Sequence, residues 1–325
     1  MLRPLGWRDL PTLYRYRHQG VFLNSALVAT RGTGLIPSVL FASLNPTSGF
    51  TTWVCMEDCD ELPLMGQSIR LASSTAARLS FLAPREALES PSTQKLLEQL
   101  VQQAGKRGAF HLVAEVNTDS FIFENFRRAG FATYARQQIW AWDQNSNNST
   151  GQPHWRIAQF GELPRLQALY GLVVPETIAH IEPLSASSFL PGLTYYKNNE
   201  LIGFALVRYG GHGIWVKPYF LPDVQEIDQL LTKLITDIPD RRSRPIYFCV
   251  RAYQPLLAPT LEAMDAIPSP EQTVMVKHMA VHHKLRETFK LGNLNGHPET
   301  PLAQTQQNTY TSGEMISHAS TKNNR

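Results

Sequence analysis

Glu115 closes an apolar run, FHLVAEV at 110–116. A carboxylate at the end of a buried strand has two uses: it can take a proton from an amine, or it can pair with a cation. The second is the simpler expectation here, with Arg127 or Arg128 of the following helix as partner. Asp119, four residues on, stands where that helix begins, and N-capping accounts for it. The stretch Ser90-Pro91-Ser92-Thr93-Gln94 opens a helix expected over 92–106. Ser90 suits the N-cap and Pro91 the first helical position. The N–H groups of Ser92, Thr93 and Gln94 would then point outward, an arrangement that can hold an anion. The turn has no glycine, however, and Glu89 places a negative charge beside it, so capping alone explains it. Cys249 and Arg251 share a strand expected over 246–251. The thiol suits a core, while Arg251 either meets a phosphate or carboxylate or ends the strand at the surface. His278 and His282 lie four apart on a strand, and His283 faces the other way from His282, so three-ligand metal binding is not expected. Cys55 and Cys59 have no second pair or neighbouring histidine. No nucleophile elbow, P-loop or dinucleotide fingerprint occurs.

The elements that carry these residues come in two similar sets. The chain opens RPLGWRDLPTLYRY at 3–16, and RIAQFGELPRLQALY follows at 156–170. Each reads as a short strand, an acid-Leu-Pro helix start and an amphipathic helix. Strands follow near 51–56, 64–71 and 77–82 in the first set, and near 193–197, 201–209 and 213–217 in the second. Asn198-Asn199 and Gly210-Gly211-His212-Gly213 have hairpin composition. Helices with apolar residues at helical spacing are expected over 92–106 and 224–238. Buried strands come next at 110–116 and 246–251, then helices at 119–129 and 254–264, and closing strands at 132–142 and 273–281. Each set therefore reads β-α-β-β-β-α-β-α-β, an α/β arrangement with a mixed sheet and helices packed on it.

Between the sets, residues 143–153 (DQNSNNSTGQP) have linker composition. Residues 284–325 hold few large apolar side chains and are expected to be disordered. The expected organisation is a first domain over 1–142, a linker over 143–153, a second domain over 154–283 and a tail over 284–325. With 325 residues and 43% hydrophobic residues, the chain can build two ordinary cores. A net charge of +3 without a basic face argues against nucleic acid as a partner. No run is long and apolar enough for a membrane span, no signal core opens the chain, and three cysteines form no disulfide framework. A cytoplasmic location is expected.

The stretch HLVAEVNTDSFIFENFRRAGFATYARQQIWAW at 111–142 resembles the C-terminal part of the GNAT superfamily of N-acetyltransferases. There a buried strand leads to a helix that ends in an aromatic, three residues and Gly-Phe, followed by a final strand. Gly130-Phe131 match that ending, and Gly130 suits a left-handed helix cap. The resemblance covers about 2–142 and, more faintly, 155–281, so the whole resembles a tandem of two GNAT-like acyl-CoA N-acyltransferase domains. It implies transfer of an acetyl or acyl group from acetyl-CoA, as cosubstrate, to a small-molecule or peptide amine, with no metal. It implies Glu115 as the base. It implies CoA contacts from Leu82, from the start of the helix at Ser92, Thr93 and Gln94, and from Asp119. The family's pyrophosphate loop is glycine-rich, whereas its glycine positions fall here at Pro91 and Thr93, and at Gln225 and Ile227 in the second half. The tyrosine acid found in many members falls at Phe126 and Leu261. These departures imply the alternative, a GNAT-like fold that serves as a binding or assembly module without CoA chemistry.

Overall fold

The structure is a computed structural model that describes residues 2–44, 49–56, 62–71, 74–144, 154–185 and 189–279. Most of the expected linker, the expected tail, Cys59, His282 and His283 lie outside these residues. Residues 1–282 group as one compact unit.

The repeated acid-Leu-Pro signature has the same structural basis twice. β1 (Leu2–Pro4) turns into α1 (Leu10–Arg15) at Asp9. The Asp9 carboxylate accepts the Gly6 N–H at 2.8 Å and two Arg3 bonds at 2.6 Å. β8 (Trp155–Ile157) turns into α6 (Leu163–Val173) at Glu162, which accepts the Gln159 N–H at 2.8 Å and Arg156 at 2.7 Å. In each half an acid thus ties the first strand to the first helix while satisfying a backbone donor at the turn.

The remaining elements follow the expected order, with additions. In the first half, β2 (Val21–Phe22), α2 (Ser25–Arg31) and α3 (Leu35–Leu44) stand between α1 and β3 (Phe50–Cys55). Then come β4 (Leu64–Ile69), β5 (Ala76–Ala83), α4 (Ser92–Lys106), β6 (His111–Asn117), α5 (Ile122–Arg128) and β7 (Ala132–Trp142). In the second half α7 (Glu176–Ile181) is added after α6. It is followed by β9 (Gly192–Lys197), β10 (Glu200–Tyr209), β11 (Ile214–Phe220), α8 (Ile227–Asp237), β12 (Ile246–Arg251), α9 (Leu257–Ala263), β13 (Ile267–Pro268) and β14 (Gln272–His278).

Among the described residues, all fourteen strands belong to one mixed sheet, whose main path runs β1-β3-β4-β5-β6-β14-β7-β12-β11-β10-β9-β8. The closing strands are exchanged. β14, last in the second half, lies beside β6 of the first half, with Gln272 opposite Asn117 and His278 opposite His111. β7, last in the first half, lies beside β12, with Trp142 opposite Ile246 and Gln137 opposite Arg251. β7 is long enough to serve two partners, since its first part, Ala132–Gln137, pairs with β14.

The cores follow the exchange. Met275 of β14 is buried with α4 and α5 side chains such as Leu96, Leu100 and Phe126. Trp140 and Trp142 of β7 are buried with Leu231, Leu234 and Leu261 of α8 and α9. Each large side chain so buried contributes about 1.5–3 kcal/mol. On the opposite face, α1 and α3 cover the first half through Leu13, Leu35 and Val39, and α6 covers the second through Leu166, Leu169 and Tyr170.

Candidate functional site

The CoA contacts that the resemblance implies at Leu82 and at Ser92–Gln94 belong to β5 and to the start of the helix after it, so the slot between β5 and β6 is the place to look for a ligand. The two strands are parallel neighbours only from Ala76 and His111 to Arg78 and Val113. Beyond that they part. β5 carries one extra residue there, since Gln67 faces Phe81 while Ser68 faces Leu79, which leaves Ser80 as a bulge. The gap is filled by the chain itself. Val21 and Phe22 pair with Leu82 and Phe81, the Leu23 N–H donates to the Ser80 carbonyl at 3.0 Å, and the Glu115 N–H donates to the Leu23 carbonyl at 3.0 Å. The Ser25 N–H then donates to Glu115 Oε2 at 2.6 Å. Residues 21–25 therefore act as a short strand in the opening, using the backbone groups that a ligand lying there would use. Leu82 is fully buried beneath them.

The helix start beside this slot is also occupied. Ser90 is extended and Pro91 already helical. The Ser92 N–H donates to Ser90 Oγ at 3.2 Å, and the N–H groups of Thr93 and Gln94 donate to the carbonyls of Ser90 and Pro91 at 3.0 and 3.2 Å. The Thr93 hydroxyl and Asn125 Nδ2 both donate to the Leu88 carbonyl, at 2.9 and 2.6 Å, which ties α4 and α5 to the turn that precedes α4. Ser92 and Thr93 are buried and Gln94 is exposed. Asp119 is exposed as well. Ser120, the next residue, provides the capping oxygen for the Ile122 N–H, at 3.4 Å, so α5 starts later than its expected residue 119. Gly130 has φ +77°, and the bonds Gly130 N–H to Arg127 and Phe131 N–H to Phe126 close the helix in the Schellman pattern. Phe131 packs edge-on against Phe126 with ring centres 4.9 Å apart.

The second half is arranged differently. β11 and β12 are parallel neighbours from Ile214 and Ile246 to Val216 and Phe248. The Ile214 N–H donates to Pro245, so positions 214, 216 and 218 turn their backbone groups toward β12. Position 218, the first beyond the ladder, is a proline and has no N–H to offer a carbonyl. Its own carbonyl accepts Gln254 Nε2 at 2.8 Å. An open cleft of about 680 Å³ lies between the segment Pro222–Asp228, which runs into α8, and Leu256, Pro259 and Thr260 at the start of α9. Asp223 and Asp228 line it, which disfavours a pyrophosphate.

Between the halves lies a buried ionic cluster centred on Glu182, just after α7. Arg251 Nη2 donates to both Glu182 oxygens at 3.0 and 2.9 Å. Lys217 Nζ reaches Oε2 at 3.2 Å, and Arg78 Nη2 and the Tyr134 hydroxyl each reach Oε1 at 2.6 Å. Arg78 Nη1 also meets Glu115 Oε1 at 3.2 Å. Burial opposes the charged form of Glu182, but Arg251, Lys217 and Arg78 together hold its carboxyl well below the usual range. Burial, followed by the Glu182 charge, pushes the Tyr134 hydroxyl far up. Arg251 meets a carboxylate in the interior, which settles the choice left open by its sequence position.

Of the residues expected from sequence, the structure brings Glu115 and Arg251 into this cluster. Leu82 pairs with Val21 inside the filled slot, Ser92 and Thr93 are buried at the start of α4, and Gln94 and Asp119 are exposed. Glu115 is paired with Arg78 of β5 rather than with an arginine of α5, because its strand faces β5 and the Leu23–Ser25 turn. His278 Nδ1 lies 3.1 Å from His111 Nδ1 on the adjoining strand. Among the described residues no three metal-ligating side chains converge, and no helix is long and apolar enough to cross a membrane.

No family model matches the sequence, and no curated protein is similar to it. Solved structures are similar in fold. A GCN5-related N-acetyltransferase from Sphaerobacter thermophilus superposes with TM-score 0.54 at 11% identity, covering 86% of this chain and 95% of that one. A tandem GNAT protein from the clavulanic acid biosynthesis pathway superposes with TM-score 0.50 at 12% identity, covering 86% of this chain and 98% of that one. The expected mixed α/β architecture is therefore the observed one, and the chain has the tandem fold of the GNAT N-acetyltransferases.

Proposed function

We propose that this chain uses the acetyltransferase fold for ligand binding at the junction of its halves, and that its first half does not take acyl-CoA. One observation carries this reading: residues 21–25 are hydrogen-bonded to both Ser80 and Glu115, in the gap where a pantetheine arm would lie. The residues present do not fit acetyl-CoA there. The donors at the start of α4 are satisfied within their own turn, and Glu115, the expected base, is held by Arg78 and the Ser25 N–H. Calorimetric titration of acetyl-CoA into the full chain at low salt tests the reading. No saturable heat, together with no thermal shift at millimolar CoA, is the expected result. Saturable binding at about one site per chain would return the protein to the acyltransferases.

A second reading has one observation in its favour. The open cleft lies between the segment that follows β11 and the start of α9, so acyl transfer from acetyl-CoA to a small-molecule or peptide amine would belong to the second half. Asp223, Asp228 and the missing N–H of Pro218 weigh against it. If the titration shows binding, Asp223→Asn should strengthen it by relieving repulsion of the phosphates.

A further inference from the structure

Arg251 is only 2% accessible. Its Nη2 carries both bonds to Glu182, while its Nε and Nη1 groups have no partner. The nearby Tyr253 hydroxyl is also buried and unpaired, and Lys217 Nζ makes one hydrogen bond, to Glu182. Buried donors of this kind normally have acceptors. The charges are unequal in the same sense. Three cations, Arg78, Lys217 and Arg251, share two carboxylates, Glu115 and Glu182, so one positive charge is left over. Arg78 is partly solvated, but Lys217 and Arg251 are buried, and a bound anion would neutralise the surplus where water cannot reach it. Hydrogen bonding and charge thus call for the same object, a single anion bearing oxygen acceptors. Arg78 keeps 32% of its side-chain surface accessible, so solvent reaches the cluster from its side.

We propose that this junction binds the carboxylate of a small organic acid, with Arg251 and Lys217 as its cationic contacts and Tyr253 as a hydroxyl donor. A monocarboxylate balances the surplus charge, whereas a phosphate dianion would reverse it. The inference rests on the junction being the ligand site proposed above, and it names the chemistry of that ligand.

The test is calorimetry and thermal shift on the full chain near neutral pH and at matched ionic strength, with acetate and propionate against inorganic phosphate and chloride. The expected result is saturable carboxylate binding that raises Tm, with phosphate and chloride at least about tenfold weaker. Arg251→Gln removes a partner of Glu182 and so endangers the fold. Tyr253→Phe is therefore the second variant: it keeps every Glu182 contact and should weaken acetate about tenfold. The proposal is overturned if no carboxylate gives saturable heat or a Tm shift, if phosphate or chloride binds as tightly, or if Tyr253→Phe leaves acetate affinity unchanged. Silence of both acetate and acetyl-CoA defeats the carboxylate assignment alone, whereas saturable acetyl-CoA binding defeats the underlying reading.

Discussion

Asp265 has φ +58° at the position where the first half uses Gly130. The hydrogen bonds are those of the first half, with the Asp265 N–H on Glu262 and the Ala266 N–H on Leu261. An L-residue in this conformation carries a penalty that glycine does not. Asp265→Gly should therefore raise stability by about 0.5–1 kcal/mol, measured as a shift in urea midpoint at unchanged m-value. No gain would mean that the weak contact from Gln144, at 3.5 Å, offsets the strain. Glu182 lies at the other extreme. Replacing it with glutamine leaves Arg78, Lys217 and Arg251 facing one another, and loss of one partner from such a buried network costs about 3–5 kcal/mol. The same residue sets the acid response. Glu182, held low by its three cations against the opposing effect of burial, and Asp9, held low by Arg3, both titrate below their usual range. Their stabilisation is complete above the ordinary carboxylate pKa of about 4 and is lost as pH falls through the depressed values, where the unfolded chain binds more protons. Urea midpoints measured from neutral pH down to acid should fall steeply in the native chain and less steeply in Glu182→Gln. Equal slopes would show that the cluster does not govern acid unfolding.

At the scale of elements, the segment at 21–25 decides whether the first half can take a ligand. Its N–H groups at Leu23 and Ser25, and the Glu115 N–H that it receives, are inside hydrogen bonds of 2.6–3.0 Å. Hydrogen exchange should therefore protect these amides as strongly as those of β5. Exchange at loop rates would show that the segment leaves the slot, and the case against CoA in this half would fail. Nothing in the residues QGVFLNS announces this role, because a two-residue strand has no periodicity and its identity comes from the ladder it joins. Longer elements are legible for the opposite reason. The helix over 92–106 and the strands over 132–142 and 246–251 have the bounds that their apolar spacing gives. α3 escapes the pattern because LIPSVLFASL is apolar nearly all round and carries a proline near its start, and α7 is a six-residue helix. The ionic cluster was legible only in part. Its members come from β5, β6, β7, β11, β12 and the turn after α7, so no local spacing joins them. A weaker signal was present: Lys217 is the one charge in IWVKPYF, Arg78 the one charge in AARLSFLA, and Arg251 ends IYFCVR. Lone cations in apolar strands need buried carboxylates, and Glu115 is one of the two in this cluster.

At the scale of the molecule, the exchange of β7 and β14 makes the two halves parts of one folding unit. Each core contains large side chains supplied by the other half: Met275 with α4 and α5, Trp140 and Trp142 with α8 and α9. The middle of the sheet, β6-β14-β7-β12, alternates strands from the two halves, so neither half can lose its sheet without unpairing the other. The Glu182 cluster adds to this, since it joins Arg78 from the first half to Lys217 and Arg251 from the second. Unfolding should therefore be a single transition, with calorimetric and van't Hoff enthalpies equal. Tryptophans give independent reporters, with Trp53 in the first half's sheet and Trp155 in the second half's core. Variants that keep one or the other should melt at the same midpoint. Removal of β14 by a stop after Pro270 should abolish both signals together, because β6 then loses its antiparallel neighbour and the first core loses Met275, while β7 keeps β12 and the two-residue β13 but loses the partner of its first part. Two separate transitions, or a first half that melts normally without β14, would show that the halves fold on their own and that the exchanged strands are a late addition to two finished sheets.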